Sequence, residues 1–409
     1  MISKNAANRI IHLLIFLCAL NFFNQSSWLL VAAFVLIIII DKGKVYVCAK
    51  DSTFWILIFF AITFFLFAAQ NGIASGFPAI GCPMAYYIGT RMQRDQENEH
   101  AEKQLNSMVI RLTAGMTLHA IINFVYELIR FGGINSGGVH YDFFSLGEKT
   151  SATGAATYLT LLAGAMFYSI MEADSARKWL IGFAAIIIAF VYDTTLGGRT
   201  FFGLAALAFA LSMITYVVCQ KDLKEKAKAF KKVIFTLLAI IVVALLLFLR
   251  YKDEIIKLFE STYLYHRIEY ARTRHSQSLL DFFTSSDRGI IRRQYIKLMP
   301  QYLWGGRKIL DRVGFYAHEL WLDIFDIAGI VPYVLSLVIT VQITYNSIRY
   351  MTGAEHPIKN KVLIAGITAS VTAQLFLEPV LTGCRALLFS YLIICGMIKS
   401  QLSQNRRIV

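Results

Sequence analysis

Charge is the scarcest ingredient of this 409-residue chain. Asp, Glu, Lys and Arg make up 16% of it, against roughly 25% in an ordinary soluble domain. That deficit excludes a soluble enzyme of one or two domains and a disordered chain. Cysteine is also sparse: six residues, scattered, exclude a disulfide-stapled secreted fold. Cys18, Cys82 and Cys395 fall inside apolar runs and read as small fillers. Several chemical patterns are missing too. There is no Asp-x-Asp, no His-x-x-x-His and no Cys/His cluster, so no metal site is expected. GxGxxG, Walker and GxSxG patterns are absent, which removes dinucleotide, P-loop and serine-hydrolase readings. No zinc-knuckle or RNA-platform signature accompanies the net charge of +14, so nucleic acid is set aside as a partner.

Hydrophobic residues supply 57% of the chain and aromatics 14%. Apolar runs of this density predict an all-α polytopic membrane protein. Twelve spans are expected: 10–23, 28–40, 53–70, 73–90, 108–130, 154–172, 179–192, 199–218, 233–250, 320–346, 362–376 and 385–398. Lys4 and Arg9 precede the first, which could pass for a signal peptide. No small-x-small cleavage site is evident, so it reads as a retained helix. The fourth run is interrupted by Gly76, Pro78, Gly81 and Pro83, breaks that neighbouring helices can cover. With the N-terminus in the cytoplasm, the inside segments hold 22 Lys/Arg. Among them are Lys42, Lys44, Lys50, Arg91, Arg94, six Lys from Lys221 to Lys232, and the tail pair Arg406 and Arg407. The short outside segments hold four: Arg130, Lys149, Arg199 and Arg385. This asymmetry puts both termini in the cytoplasm.

Tyr251 to Glu319 stands apart as a long polar segment on the outer side. Its twelve Lys/Arg do not violate the charge rule, because long translocated segments escape it. Tyr, Phe, Leu and Trp persist through it, and apolar residues recur at helical spacing from Ile290 to Tyr302, so a folded helical lid is expected. Three regions follow: helices 1–9 over 1–250, the outer segment over 251–319, and the last three helices with a cytoplasmic tail over 320–409.

Candidate chemistry gathers at the outer boundary. Arg199 opens a helix in LGGRTFFG, Arg385 opens the last one in TGCRALLF, Arg288 sits in SSDRGIIRRQY, and His318 in YAHELWLDIFD. A guanidinium binds phosphate bidentately and keeps its charge. Two or three converging could hold a diphosphate and stabilise it as a leaving group. An imidazole could accept the proton of an attacking hydroxyl. Each arginine taken alone also fits a membrane-boundary anchor. That bland reading is weaker for Arg199 and Arg385, because positive charge is otherwise rare outside. Arg292, Arg293 and Lys297 read as the solvated face of a helix, with Arg292 a supporting group in the alternative. Glu319, Asp323 and Asp326 share a helix start, where acids complement the dipole. Glu319 or Asp323 could instead orient His318 or serve as the base.

Four stretches together resemble the O-antigen polymerase and ligase superfamily, the bacterial surface-polysaccharide membrane glycosyltransferases of GT-C type. TSATGAATYLTLL (Thr150 to Leu162) is similar to a Thr-Gly motif that opens a helix in some of its ligases. TTLGGRTFFGLAALAF carries an arginine at the outer start of a helix, as the family does. SSDRGIIRRQYIKLMPQYLWGG looks like the family's Arg-led helix running into a Gly-rich turn. YAHELWLDIFDIAGIVP resembles its His followed by a small-residue helix, and Arg385 has a counterpart in some ligases. Arg292 stands where an aromatic is common, and Glu319 where an Asn is common. The resemblance implies an inverting, metal-independent transferase without a cofactor. Its donor would be an oligosaccharide on undecaprenyl diphosphate at the outer face of the inner membrane. Its partners would be a glycan or lipid-linked acceptor, membrane lipids and a chain-length regulator. Arg199 and Arg288 would hold the diphosphate with Arg385 assisting, and His318 would be the base. Polymerase and ligase share this chemistry, and a lipid-linked-sugar transporter is the alternative of another class.

Overall fold

A computed structural model describes residues 4–45, 51–94, 98–134, 139–171, 175–275 and 288–405. Cys48, Lys50, Arg406 and Arg407 lie outside the described residues. The chain is helical almost throughout. In order come α1 (Lys4–Ala19), α2 (Ser26–Ile40), α3 (Ser52–Ala68), α4 (Phe77–Gln93) and α5 (Asn98–Phe131). A hairpin of β1 (His140–Asp142) and β2 (Glu148–Thr150) follows. Then come α6 (Ala152–Thr157), α7 (Thr160–Met171), α8 (Ala176–Thr195), α9 (Thr200–Val218), α10 (Leu223–Arg250), α11 (Lys252–Glu260) and α12 (Tyr263–His275). The last elements are α13 (Arg288–Leu298), α14 (Lys308–Val313), α15 (Leu320–Ala328), α16 (Ile330–Thr352), α17 (Ile358–Leu375), α18 (Val380–Gly383) and α19 (Arg385–Asn405).

Among the described residues, six helical stretches are long and apolar enough to cross a bilayer: Ser52–Asn71, Glu99–Phe131, Ala152–Met171, Thr200–Val218, Ile330–Thr352 and Arg385–Ser403. Three shorter apolar helices accompany them, Ala6–Ala19, Ser26–Ile40 and Leu180–Thr195. The architecture is that of an all-α membrane protein.

The helices form two compact units. The first comprises 1–119, 286–350 and 371–409; the second 120–285 and 351–370. In the first, α4 and α19 pack backbone against backbone. A Cβ on Gly89 would overlap the Ile393 carbonyl, and one on Gly396 would overlap that of Tyr86. Small residues at such a crossing let main chains touch, the usual source of helix affinity inside a bilayer. A cluster of Tyr295, Ile309, Ala317, Leu322 and Phe325 ties α13, α14 and α15 together. In the second unit, Phe167, Met171, Val233 and Val362 form a buried cluster joining α7, α10 and α17.

The segment 251–319 is helical where described, holding α11 to α14. Its first part belongs to the second unit and its last part to the first.

The expected single helix over 320–346 is broken at Gly329, which adopts φ +81°. Its Cα faces the 303–304 backbone, where a Cβ would stand 2.5 Å from the Leu303 carbonyl oxygen. The backbone groups freed by the break are used: Ile330 N donates to Leu303 O (2.9 Å) and Arg307 N to Asp326 O (2.8 Å). A turn distant in sequence thus stabilises a bend that hydropathy alone does not show.

Candidate functional site

Helical register decides what α13 presents. Arg288, Arg292 and Tyr295 are four and three residues apart, so they share one face. Tyr295 is 1% exposed in the core, and its hydroxyl donates to Phe315 O (3.0 Å). That anchor turns both arginines toward the turn between α17 and α18. Arg288 Nη1 donates to Leu377 O (3.0 Å) and Nη2 to Glu378 Oε1 (3.4 Å). Arg292 donates to Phe376 O and pairs through Nε with Glu319 Oε2 (2.9 Å). Arg293 and Lys297 are exposed, as the solvated-face reading expected. Arg292 departs from that reading because the helical repeat places it with Arg288 rather than with Arg293.

His318 joins from the start of α15. Its Nδ1 lies 3.6 Å from Glu378 Oε1, just beyond hydrogen-bond reach. Its ring packs on Tyr316 with centroids 4.0 Å apart. The residue has φ +53°, a left-handed conformation that non-glycine residues rarely adopt. Strain of this kind, about 1–3 kcal/mol, persists only where surrounding contacts hold it. Glu378 is therefore the centre of the cluster, facing a guanidinium and an imidazole at once. Glu319, at the N-cap position of α15, makes no side-chain cap bond and instead serves Arg292. Burial pushes the Glu319 carboxyl above the usual carboxylate range, and the Arg292 charge opposes that shift.

The other candidates lie elsewhere. Asp323 is 2% exposed and faces Arg307 (2.7 Å) and the Thr382 hydroxyl (2.9 Å). Asp326 accepts from the backbone N–H groups of Ile309 (3.0 Å) and Leu310 (3.3 Å), capping α14. These two acids clamp the 303–313 turn to α15. Arg385, the first residue of α19, donates to Ser27 Oγ (3.3 Å).

Arg199 belongs to the second unit, where it occupies the N-cap position of α9 and is half-buried. The Gly197–Gly198 turn before it closes over Asp193, which is fully buried with its carboxylate beside the Phe201 N–H. The positive end of α9 suits a carboxylate there. Gly197 O accepts from Arg267 Nη1 (2.7 Å). Nearby in the same unit, His140 Nδ1 and Glu127 Oε1 are 3.3 Å apart and both buried. Glu127 also accepts from Tyr141 N (2.9 Å), while Asn123 and Asp142 bond each other (3.1 Å) and hold the hairpin.

Glu378 and the Glu127–His140 pair were missed in the sequence. The signals were present: Glu378 is the one acid in LFLEPVLTG, and Glu127 is an acid inside an apolar helix. Among the described residues, no group of three or more His, Cys, Asp or Glu is arranged to hold a metal ion. Within the Glu378 cluster the cationic groups set against carboxylates are the guanidinium groups of Arg288 and Arg292.

Fold and cluster define a class: an all-α membrane protein with an arginine–histidine–glutamate site at the end of short helices. In comparisons with known proteins, the chain matches no family model and no curated protein.

Proposed function

We propose that the chain is an inverting glycosyltransferase that moves an oligosaccharide from undecaprenyl diphosphate to a hydroxyl acceptor, polymerising a bacterial surface polysaccharide. The observation that carries this reading is the meeting of Arg288, Arg292, Glu378 and His318. Two guanidinium groups on one helix face match the charge of a diphosphate, and each can bind it bidentately. Carboxylates pair with both, so an incoming diphosphate exchanges one anionic partner for another. Glu378, released from Arg288, is then left to orient the imidazole. His318 takes the proton of the acceptor hydroxyl as its oxygen attacks the anomeric carbon. The bond from that carbon to the diphosphate oxygen breaks, and the negative charge passes to the arginines. Arg385 assists at the diphosphate in this reading. It also includes twelve spans, cytoplasmic termini, a helical outer segment over 251–319 and residence in the inner membrane. The chemistry proceeds through guanidinium groups without a metal.

The test is incubation of the purified protein with lipid-linked repeat units. A ladder of longer lipid-linked products is expected. Transfer to lipid A–core with no ladder would assign a ligase instead. The buried Glu127–His140 pair favours one other reading, a transporter of the lipid-linked sugar, since intramembrane ionisable groups mark proton relays. Lipid-linked sugar crossing a reconstituted vesicle without any new glycosidic bond would select it.

A further inference from the structure

Among the described residues, the first three turns of α10 carry a largely exposed surface. The helix starts on its own local signals. Asp222 accepts from Glu225 N (2.7 Å), and Glu225 reaches back to Lys221 N (3.3 Å), in the manner of a capping box. Only Ala229 and Val233 of this stretch are buried. The other faces are open. Leu223 (84% exposed), Ala227, Phe230 (55%) and Ile234 recur at four, three and four residues, making one apolar stripe. Lys224, Lys228 and Lys231 recur at four and three residues, making an exposed cationic row beside it. Lys232 is used otherwise: its Nζ reaches Met171 O (3.5 Å) at the end of α7 and lies over the Tyr216 ring.

We propose that this amphipathic start of α10 binds anionic phospholipid headgroups, with the Phe230–Ile234 end of the apolar stripe in the acyl boundary and the Lys224–Lys228–Lys231 row on the phosphates. Three observations select a lipid surface over other occupants. The row has one charge sign. The apolar stripe lies directly beside it, the pattern of an interfacial helix. The same helix runs on into the apolar segment 233–250. Along the axis Phe230 precedes Val233 by about 4.5 Å and Lys228 by about 7.5 Å, within or at the edge of a headgroup layer of roughly 5–7 Å. Tilt and side-chain snorkelling bring Lys224 to the same layer. This inference is independent of the transfer chemistry.

The full-length protein, in nanodiscs of phosphatidylcholine alone or mixed with phosphatidylglycerol, provides the test. Native mass spectrometry counts the phosphatidylglycerol retained on release. Wild type is expected to retain it preferentially, with a preference that falls as salt rises. Each lysine near the surface is worth about fivefold, so Lys224→Gln, Lys228→Gln and Lys231→Gln together should lower the preference about a hundredfold. The matching triple Arg variant should keep it, and Lys232→Gln should keep it while lowering thermal stability. Equal retention of the two lipids by wild type at low salt overturns the proposal. So does an unchanged preference in a folded triple Gln variant. Should that variant not fold, the wild-type salt titration and the triple Arg variant carry the decision.

Discussion

Arg288 and Arg292 in the first unit are 25% and 31% exposed, each set against a carboxylate. Glu127 and His140 in the second are 3% and 0% exposed and set against each other. The first arrangement is a half-open set of opposite charges that a stronger anion can rearrange. The second is closed, and its carboxylate also accepts a backbone N–H. Desolvated polar groups of that kind are costly to unpair, so their first task is to hold the β-hairpin on α5. An ion pair whose guanidinium is partly exposed is easier to open than one with both partners buried, which suits a binding site. Charge count alone does not separate the two; exposure does.

The largest expected effect breaks the comparison on the side of the first unit. Arg288→Ala should abolish polymer formation with normal membrane insertion, a loss of about 10³-fold or more for a group on the leaving charge. Arg288→Lys should restore only a fraction, since bidentate geometry is lost. Retained ladders in Arg288→Ala would exclude the proposed role.

His318→Ala comes next, with a fall in kcat of ~10²–10⁴-fold. Near-normal turnover would make His318 a structural residue and leave Glu378 a partner of Arg288 only.

Glu378→Gln sharpens the distinction between touching substrate and positioning a group that does. It should lower kcat by ~10–100-fold, alter the pH–rate profile, and leave KM near the wild-type value or below it, because a competing anion is removed from Arg288. A changed KM with an unaltered profile would argue for a structural role.

In the second unit, Glu127→Gln should lower stability by about 1–3 kcal/mol and leave transfer per folded molecule unchanged, as thermal melts beside the ladder assay would show. Loss of transfer at unchanged stability would move the functional centre to the second unit.

The smallest effect concerns Glu319. Its folded carboxyl holds a proton more tightly than the unfolded one, because burial outweighs Arg292. The native state therefore binds more protons as pH passes through the window above the usual carboxylate value of about 4.3. Stability from this group is full below that value and is lost as pH rises through the folded one. Glu319→Gln should flatten that part of the melting-temperature profile. An unchanged slope would assign it to another group.

Much of α13 was legible beforehand. Its helical spacing, its leading arginine and the Gly305–Gly306 turn all follow from neighbours within a few residues. The role of Arg292 was not, although the same spacing contained it. Assigning it required knowing that Tyr295, and not Lys297, faces the core. Asp323 shows the opposite failure. Proximity in sequence pointed it at His318, but on a helix starting at Leu320 it turns toward Arg307 and Thr382. The break at Gly329 was hidden inside an apolar run because its cause is the backbone of Leu303 and Trp304.

By itself the sequence determined the all-α apolar character of the chain, the location of most helices and the presence of arginine and histidine near their ends. Those properties depend on hydrophobic content and on contacts three or four residues apart. Only the tertiary structure decided that Glu378 sits between Arg288 and His318, and that two acids of α15 serve a turn instead of the imidazole. The Glu378 pairings join residues sixty and ninety positions apart, and burial, which fixes their worth, is a property of the packed helices and not of any one segment.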